Sequence, residues 1–258
     1  WLIQFSRVAF EAIWAVLFYL GFVVFWLRFW ERRKYLDFYL CLALLGLSVY
    51  CYRTMSLYVP LTVVGILLIY RRELFQLKVK NLILGVLLLL GVTGPFLYLT
   101  TIGSKDQPRI NQISIFSNKE VPILVLRNRE VDSGDLRSKE LGRRPSKESF
   151  FFHNKPLSWW SAFKNNYFKA FSSEFLFLNG DSNLRHSVGK YGELLLIDLG
   201  GLVAGGWYLI KKWREKHLQF LFFWLLTAPT ASALTLDGAG HASRLIILAP
   251  PLLILVAL

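Results

Sequence analysis

A succession of long apolar blocks, each nearly free of charge, limits this chain to very few architectures. Residues 9–27, AFEAIWAVLFYLGFVVFWL, give nineteen positions with the single charge of Glu11. That length crosses the ~30 Å hydrocarbon core of a bilayer as a helix. Residues 36–51 and 57–70 form a second apolar region, interrupted by Tyr52-Arg53-Thr54 and by Pro60. Read as one helix, this region would carry an arginine and a proline near its centre. Read as two short spans, it returns the chain to the side it left. Further blocks run over 82–99, 191–210 and 218–235, and a last one begins near Arg244. The expected fold class is therefore an all-α polytopic membrane protein of about seven transmembrane helices.

Charge placement orients these spans. Three short connections carry four basic residues each: Arg28, Arg32, Arg33, Lys34; then Arg71, Arg72, Lys78, Lys80; then Lys211, Lys212, Arg214, Lys216. They fall on one side only if the region 36–70 is two spans. The opposite connections, 52–56 and 236–243, hold Arg53 alone, so the positive-inside rule puts the first set in the cytoplasm. Residues 101–190 then lie outside the cytoplasm. This divides the chain into helices one to four over 1–100, an extracytoplasmic segment over 101–190, and helices five to seven over 191–258. The expected location is the inner cell membrane, multi-pass. The net charge of +13 is topology charge, and no basic stretch sits in a nucleic-acid motif, so nucleic acid is excluded as a partner.

Within the outer segment, Ile113, Ile115, Val121, Ile123 and Val125 alternate weakly, which predicts a short strand or two over 109–127. Residues 128–149, rich in Arg, Lys, Glu, Ser and Gly, read as a mobile surface loop. Over 157–172, Trp160, Phe163, Tyr167 and Phe171 recur at helical spacing, with Lys164, Asn165 and Lys169 facing elsewhere. Such an amphipathic helix suits the membrane interface; the plainer expectation is a helix packed on the outer ends of the spans. Asn179-Gly180-Asp181 is strong turn chemistry, leading through Arg185 and His186 into the next span. Cys41 and Cys51, ten residues apart in one block, are about 15 Å apart along a helix and form no disulfide.

The chemical signals gather at the outer ends. Tyr52 and Arg53 sit at the turn between the second and third spans. Arg53 either snorkels to headgroups or grips a lipid phosphate through two parallel hydrogen bonds. Asp237-Gly238-Ala239-Gly240-His241-Ala242-Ser243-Arg244 exposes glycine backbone and places His241 one helical turn from Arg244, a seat for phosphate or a plain turn with an interfacial arginine. Asp181 and Arg185 complete the candidate set. Glu11 and Asp198 lie inside expected spans, where a carboxylate is costly; Asp198 is the deeper of the two. There is no zinc-ligand spacing, nucleotide-binding glycine loop or catalytic-triad signature.

Tyr50-x-Tyr52-Arg53 with Pro60, Asn166-Tyr167 with Ser172 to Asp181, Gly189 to Leu196, and Pro229 with Leu234-Thr235 and His241-Ala242-Ser243-Arg244 occur in one order. Together the chain resembles the C-type membrane glycosyltransferases, nearest the protein O-mannosyltransferase-like and aminoarabinose-transferase-like branch, as a C-terminal piece. The resemblance implies transfer of a sugar from a polyprenyl-phosphate donor to a protein or lipid acceptor at the outer membrane face. It implies that Arg53, Arg244 and His241 neutralise the departing phosphate, alone or with a divalent metal. It also implies that the catalytic base lies upstream of Trp1, so that this chain alone is inactive. The competing expectations are a polysaccharide polymerase or ligase and a lipid-linked-sugar flippase or transporter. A transporter would show an internal repeat and a polar path through the spans, and the sequence has neither.

Overall fold

Helix α1, Glu11–Arg32, buries Ala12, Ala15, Tyr19, Phe22, Trp26 and Phe29, a three-and-four spacing that turns one stripe inward. A computed structural model describes residues 1–2, 5, 11–101, 113–132, 147–183 and 191–258. After a two-residue turn, α2 (Tyr35–Cys51) runs back along α1. Tyr52, Arg53 and Thr54 reverse the chain again into α3 (Met55–Ile69). The split of the region 36–70 into two helices is as the charge pattern requires. The short α4 (Arg71–Leu74) leads to α5 (Val79–Thr101), which packs on α2.

The polar segment adds α6 (Glu120–Asp132), α7 (Lys147–Phe152) and α8 (Lys155–Lys169), then a wide helical turn at Glu174–Leu178. The chain returns through α9 (Asp198–Lys211), α10 (Lys216–Thr227), α11 (Thr230–Ala233) and, after a tight turn at Ile246–Leu248, α12 (Ala249–Ala257). Among the described residues the fold is helical throughout, with one isolated antiparallel bridge, Ser114 to Thr235.

That bridge is all that remains of the expected strands. Val121, Ile123 and Val125 belong to α6, because Asn118 accepts the Glu120 N–H at 2.8 Å and so caps a helix. The buried residues are Val121 and Val125, four apart, while Ile123 is exposed. Residues 128–132 and 147–149, expected in a mobile loop, are likewise helical; 133–146 lie outside the described residues. The amphipathic helix of 157–172 appears as α8, capped by Asn154, which accepts the Leu157 N–H at 2.9 Å.

Two helices, α1 and α5, are long and apolar enough to cross a membrane by length and composition, and α2, α3 and Ile246–Ala257 are shorter apolar helices. In α5 only 11% of the span-length window is buried, against 39% in α1. Ile83, Val86, Leu87 and Leu90 of α5 are exposed, a contiguous stripe that water would penalise and hydrocarbon accommodates. Two expected spans are shorter than drawn. The block 191–210 becomes helical only at Asp198, which is not deep in a span: its Oδ2 accepts the Leu195 N–H at 2.9 Å at the helix start. The block 218–235 breaks after Thr227, where Pro229 has no N–H to continue the ladder. Glu11 is exposed in the first turn of α1, where a carboxylate suits the helix dipole.

α9 meets α12 through Gly201 and Gly205. A Cβ on Gly205 would stand 1.9 Å from the Leu255 carbonyl oxygen, and one on Gly201 2.8 Å from Val256, whereas Gly200 and Gly206 face open space. Small residues four apart bring the two backbones together, the packing that apolar surroundings favour. Gly205→Ala should therefore destabilise the protein by roughly 1–3 kcal/mol, while Gly206→Ala leaves it unchanged or up to about 1 kcal/mol more stable. Denaturant unfolding in detergent micelles, followed by circular dichroism, compares the two.

Candidate functional site

The site is built on a strap, residues 228–245, joining α10 to α12. Its shape is set by close backbone contacts. Ser232 Oγ donates to the Gly238 carbonyl at 2.9 Å, and a Cβ on Gly238 would lie 1.9 Å from the Ser232 carbonyl oxygen, so only glycine fits. Asn166 of α8 donates to the Thr235 carbonyl at 2.8 Å and to that of Ala233 at 3.3 Å. Tyr167 donates to the Leu226 carbonyl at 2.7 Å. α8 is thus fastened along one face to the end of α10 and to the strap, while Trp160 and Phe168 stay exposed. The Ile115 N–H to Leu234 carbonyl bond at 3.1 Å ties the strap from the other side.

Onto this strap the chain brings distant residues. Gly180, in the left-handed region with φ 65°, turns Asn179-Gly180-Asp181 inward, and Asp181 is buried. Asp181 Oδ2 accepts the Ala242 N–H at 2.8 Å, and Oδ1 accepts the Asn183 N–H at 2.8 Å. His241 Nδ1 lies 3.8 Å from Asp181 Oδ2 and 3.0 Å from Ser243 Oγ. Tyr52 reaches Ser243 Oγ at a long 3.4 Å, across 191 residues of sequence. Arg244 donates to Thr235 Oγ1 at 2.6 Å and is half-buried.

Of the sequence candidates, Tyr52, Asp181, His241 and Arg244 therefore meet at one end of the bundle. Arg53 is exposed beside them, with no side-chain bond among the described residues. Arg185 lies outside the described residues. Serine, histidine and aspartate stand together here, yet Ser243 and Asp181 both approach the same nitrogen of His241. A relay needs the two partners on opposite ring nitrogens, an arrangement that these two do not make. Among the described residues no three His, Cys, Asp or Glu side chains are grouped to hold a metal ion.

Two further residues matter that the sequence did not single out. Ser243 links Tyr52 to His241. Glu193 is buried and its Oε1 accepts the Asp181 N–H at 3.3 Å. Burial pushes the Glu193 carboxyl up to about 7, with the Asp181 charge adding to the rise and the Asp181 N–H working against it. Burial also raises the Tyr52 phenol, offset in part by the Ser243 bond and the Arg244 charge. The only sequence signal for Glu193 was a lone carboxylate entering an apolar run.

Two clefts flank the cluster. A groove of about 410 Å³ is lined by Ile115, Phe116, Pro156, Trp159, Trp160, Phe163 and Leu234 and is almost wholly apolar. Leu234 adjoins Thr235, the residue that holds Arg244. A smaller cleft of about 220 Å³ lies behind the Asp181 turn, between Lys169, Glu174, Gly180 and Gly240. No family model, curated protein or solved structure matches the chain.

Glu193 makes stability depend on pH. Below its ordinary 4.5 both folded and unfolded chains hold the proton. Between there and about 7 the unfolded chain releases it first, so stability falls as pH rises and stays lower above that range. Glu193→Gln removes this dependence. Relative to the unchanged protein, the variant should gain stability between about pH 5 and about pH 8, with a ceiling of roughly 3 kcal/mol. Thermal unfolding at the two pH values measures it.

Proposed function

We propose that this chain is the membrane part of a glycosyltransferase that moves a sugar from a polyprenyl-phosphate donor to a protein or lipid acceptor at the outer membrane face. The observation that carries the reading is the junction at Leu234-Thr235. Leu234 lines an apolar aromatic groove, and Thr235 holds the guanidinium of Arg244. A fixed cation held by the residue next to an apolar groove is what a phosphate on an isoprenoid tail requires. The Arg244 side chain makes one hydrogen bond among the described residues, which leaves further donors of its fork for phosphate oxygens. Arg53, exposed at the neighbouring turn, supplies a second cation to the same face.

In this reading α1, α2, α3, α5, α9, α10 with α11, and the helix ending the chain are seven spans of the inner cell membrane. The segment 101–190 is extracytoplasmic. The packing supports it: Arg33, Glu73 and Lys216 share a cleft at one end of the bundle, while Tyr52, Asp181, His241 and Arg244 share the other. Catalysis is then electrostatic on the donor side. Negative charge grows on the leaving phosphate, and a preoriented guanidinium stabilises it most where it grows most. Asp181, Ser243 and Thr235 position the strap that carries the cation.

In the full-length protein, Arg244→Ala should lower kcat/KM for sugar transfer by on the order of 10²-fold or more, with membrane insertion intact and Arg244→Lys retaining part of the activity. Unchanged transfer by Arg244→Ala would remove the reading. Trp160→Ala should raise KM for a long-chain prenyl donor while sparing a short-chain one. Equal loss on both would detach the groove from the donor.

A further inference from the structure

At the end of the bundle away from Arg244, three connections meet: Arg33 after α1, the short helix α4, and Lys216 opening α10. A cleft of about 450 Å³ lies between them, lined by Trp30, Arg33, Tyr70, Glu73, Lys216 and His217, with Leu27 and Glu31 at its margin. The rings of Trp30 and Tyr70 stack, with centroids 5.5 Å apart and planes at 11°. The Arg33 guanidinium covers Trp30 at 4.7 Å. Lys216 pairs with Glu73 and stands 5.9 Å from the Tyr70 ring centre.

Both cations occupy positions that the local backbone disfavours. Arg33 has φ 56° at a helix end where glycine is the low-cost residue. Lys216 sits in the first turn of α10, at the positive end of the helix dipole. Residues held against local preference point to a role for their side chains. Two polar atoms of the cleft residues are also incomplete. Trp30 Nε1 and Glu73 Oε2 are buried with no hydrogen-bond partner among the described residues, one donor and one acceptor whose bonds the protein does not make.

Leu27 and His217 also line a second cleft of about 160 Å³, with Val23, Leu218, Leu221 and Ile254 between α1, α10 and α12. A charged compartment that shares two wall residues with an apolar one has the form of an amphiphile. The charges narrow the head group. Arg33 and Lys216 are matched in number by Glu31 and Glu73, with Lys216 and Glu73 already paired to each other, so the lining is near neutral. A purely anionic head would face two carboxylates, whereas a zwitterion meets a partner at each end. The unpartnered Glu73 Oε2 suits an ammonium that has N–H groups to donate, and the Arg33 fork suits a phosphate.

We propose that this end of the bundle binds one aminophospholipid of the phosphoethanolamine class. Its phosphate lies at Arg33, its ammonium at Glu73, and one acyl chain enters the cleft along Leu27, Leu221 and Ile254. The inference uses the placement of the helices in a bilayer and nothing of the chemistry at Arg244.

The intact chain, delipidated in detergent, is exchanged with phosphatidylethanolamine, phosphatidylcholine or phosphatidylglycerol of identical acyl chains, and retained lipid is counted by native mass spectrometry. One phosphatidylethanolamine per chain should be retained roughly tenfold better than the other two, the size of one hydrogen bond to a charged group. Phosphatidylcholine has no N–H to donate, and phosphatidylglycerol has no cation. Arg33→Gly suits the left-handed backbone, so it should lose retention by about the same factor with no fall in unfolding temperature. Glu73→Gln should erase the preference for the primary ammonium over the quaternary one. Equal retention of all three lipids overturns the proposal, as does preference for the anionic one. So does failure to retain any lipid, the outcome expected if protein covers the cleft, or full retention by Arg33→Gly.

Discussion

The Arg244 end depends on a buried polar knot in the middle of the bundle. Tyr19 of α1 shares a hydrogen bond with Thr62 of α3 at 3.0 Å, and Thr62 donates to the Tyr58 carbonyl at 2.9 Å. Tyr58 donates to the Trp224 carbonyl at 3.2 Å, and Trp224 Nε1 donates to the Ile247 carbonyl at 2.9 Å. The rings close on one another, with Tyr19 5.3 Å from Tyr58 and 4.8 Å from Trp224. Four elements that are otherwise mostly apolar could slide past each other at little cost. Hydroxyls and an indole N–H that find partners in only one register cannot, because each unmade bond in apolar surroundings costs free energy. Ile247 is three residues from Arg244, so the knot also fixes where that guanidinium emerges.

Much of the fold is legible in the sequence, and the misses share a cause. The helices are readable because block length and charge placement are properties of single segments. The split at Tyr52-Arg53-Thr54 follows from requiring every basic connection to share a side. The expectation of strands over 109–127 fails because Val121, Ile123 and Val125 satisfy a two-residue period as well as a four-residue one, and only the Asn118 cap decides between them. Asp198 counts as inside a span by hydropathy, which does not register that a carboxylate can end one. Asp37, inconspicuous in the sequence, is a buried carboxylate in the first turn of α2 with one oxygen unpartnered among the described residues.

At the site, the sequence exposes the residues with conspicuous chemistry and misses those that hold them. Arg244 and His241 stand out in a glycine-rich turn. Nothing local marks Ser243, Thr235 or Glu193, whose partners arrive from Tyr52, α8 and the Asp181 turn. Asp181 itself reads as turn chemistry, and Gly180 does turn the chain, but the carboxylate then caps the Ala242 N–H on another segment. Two parts of the segment before α9 reach Arg244 through the strap: α8 holds Thr235, and Asp181 holds Ala242.

The pairing of Asp181 with Glu193 shows why both carboxyls can be tolerated. They are buried together, joined through the Asp181 N–H, and two negative charges in that space would repel strongly. Keeping the Glu193 proton near neutral pH confines the negative charge to Asp181, whose oxygens already have backbone N–H partners at Asn183 and Ala242. A charge so satisfied can face His241, 3.8 Å away, without a direct ion pair to stabilise it. Ionising Glu193 would put a second, less well-partnered charge behind the same turn, which is the cost that its raised pKa expresses.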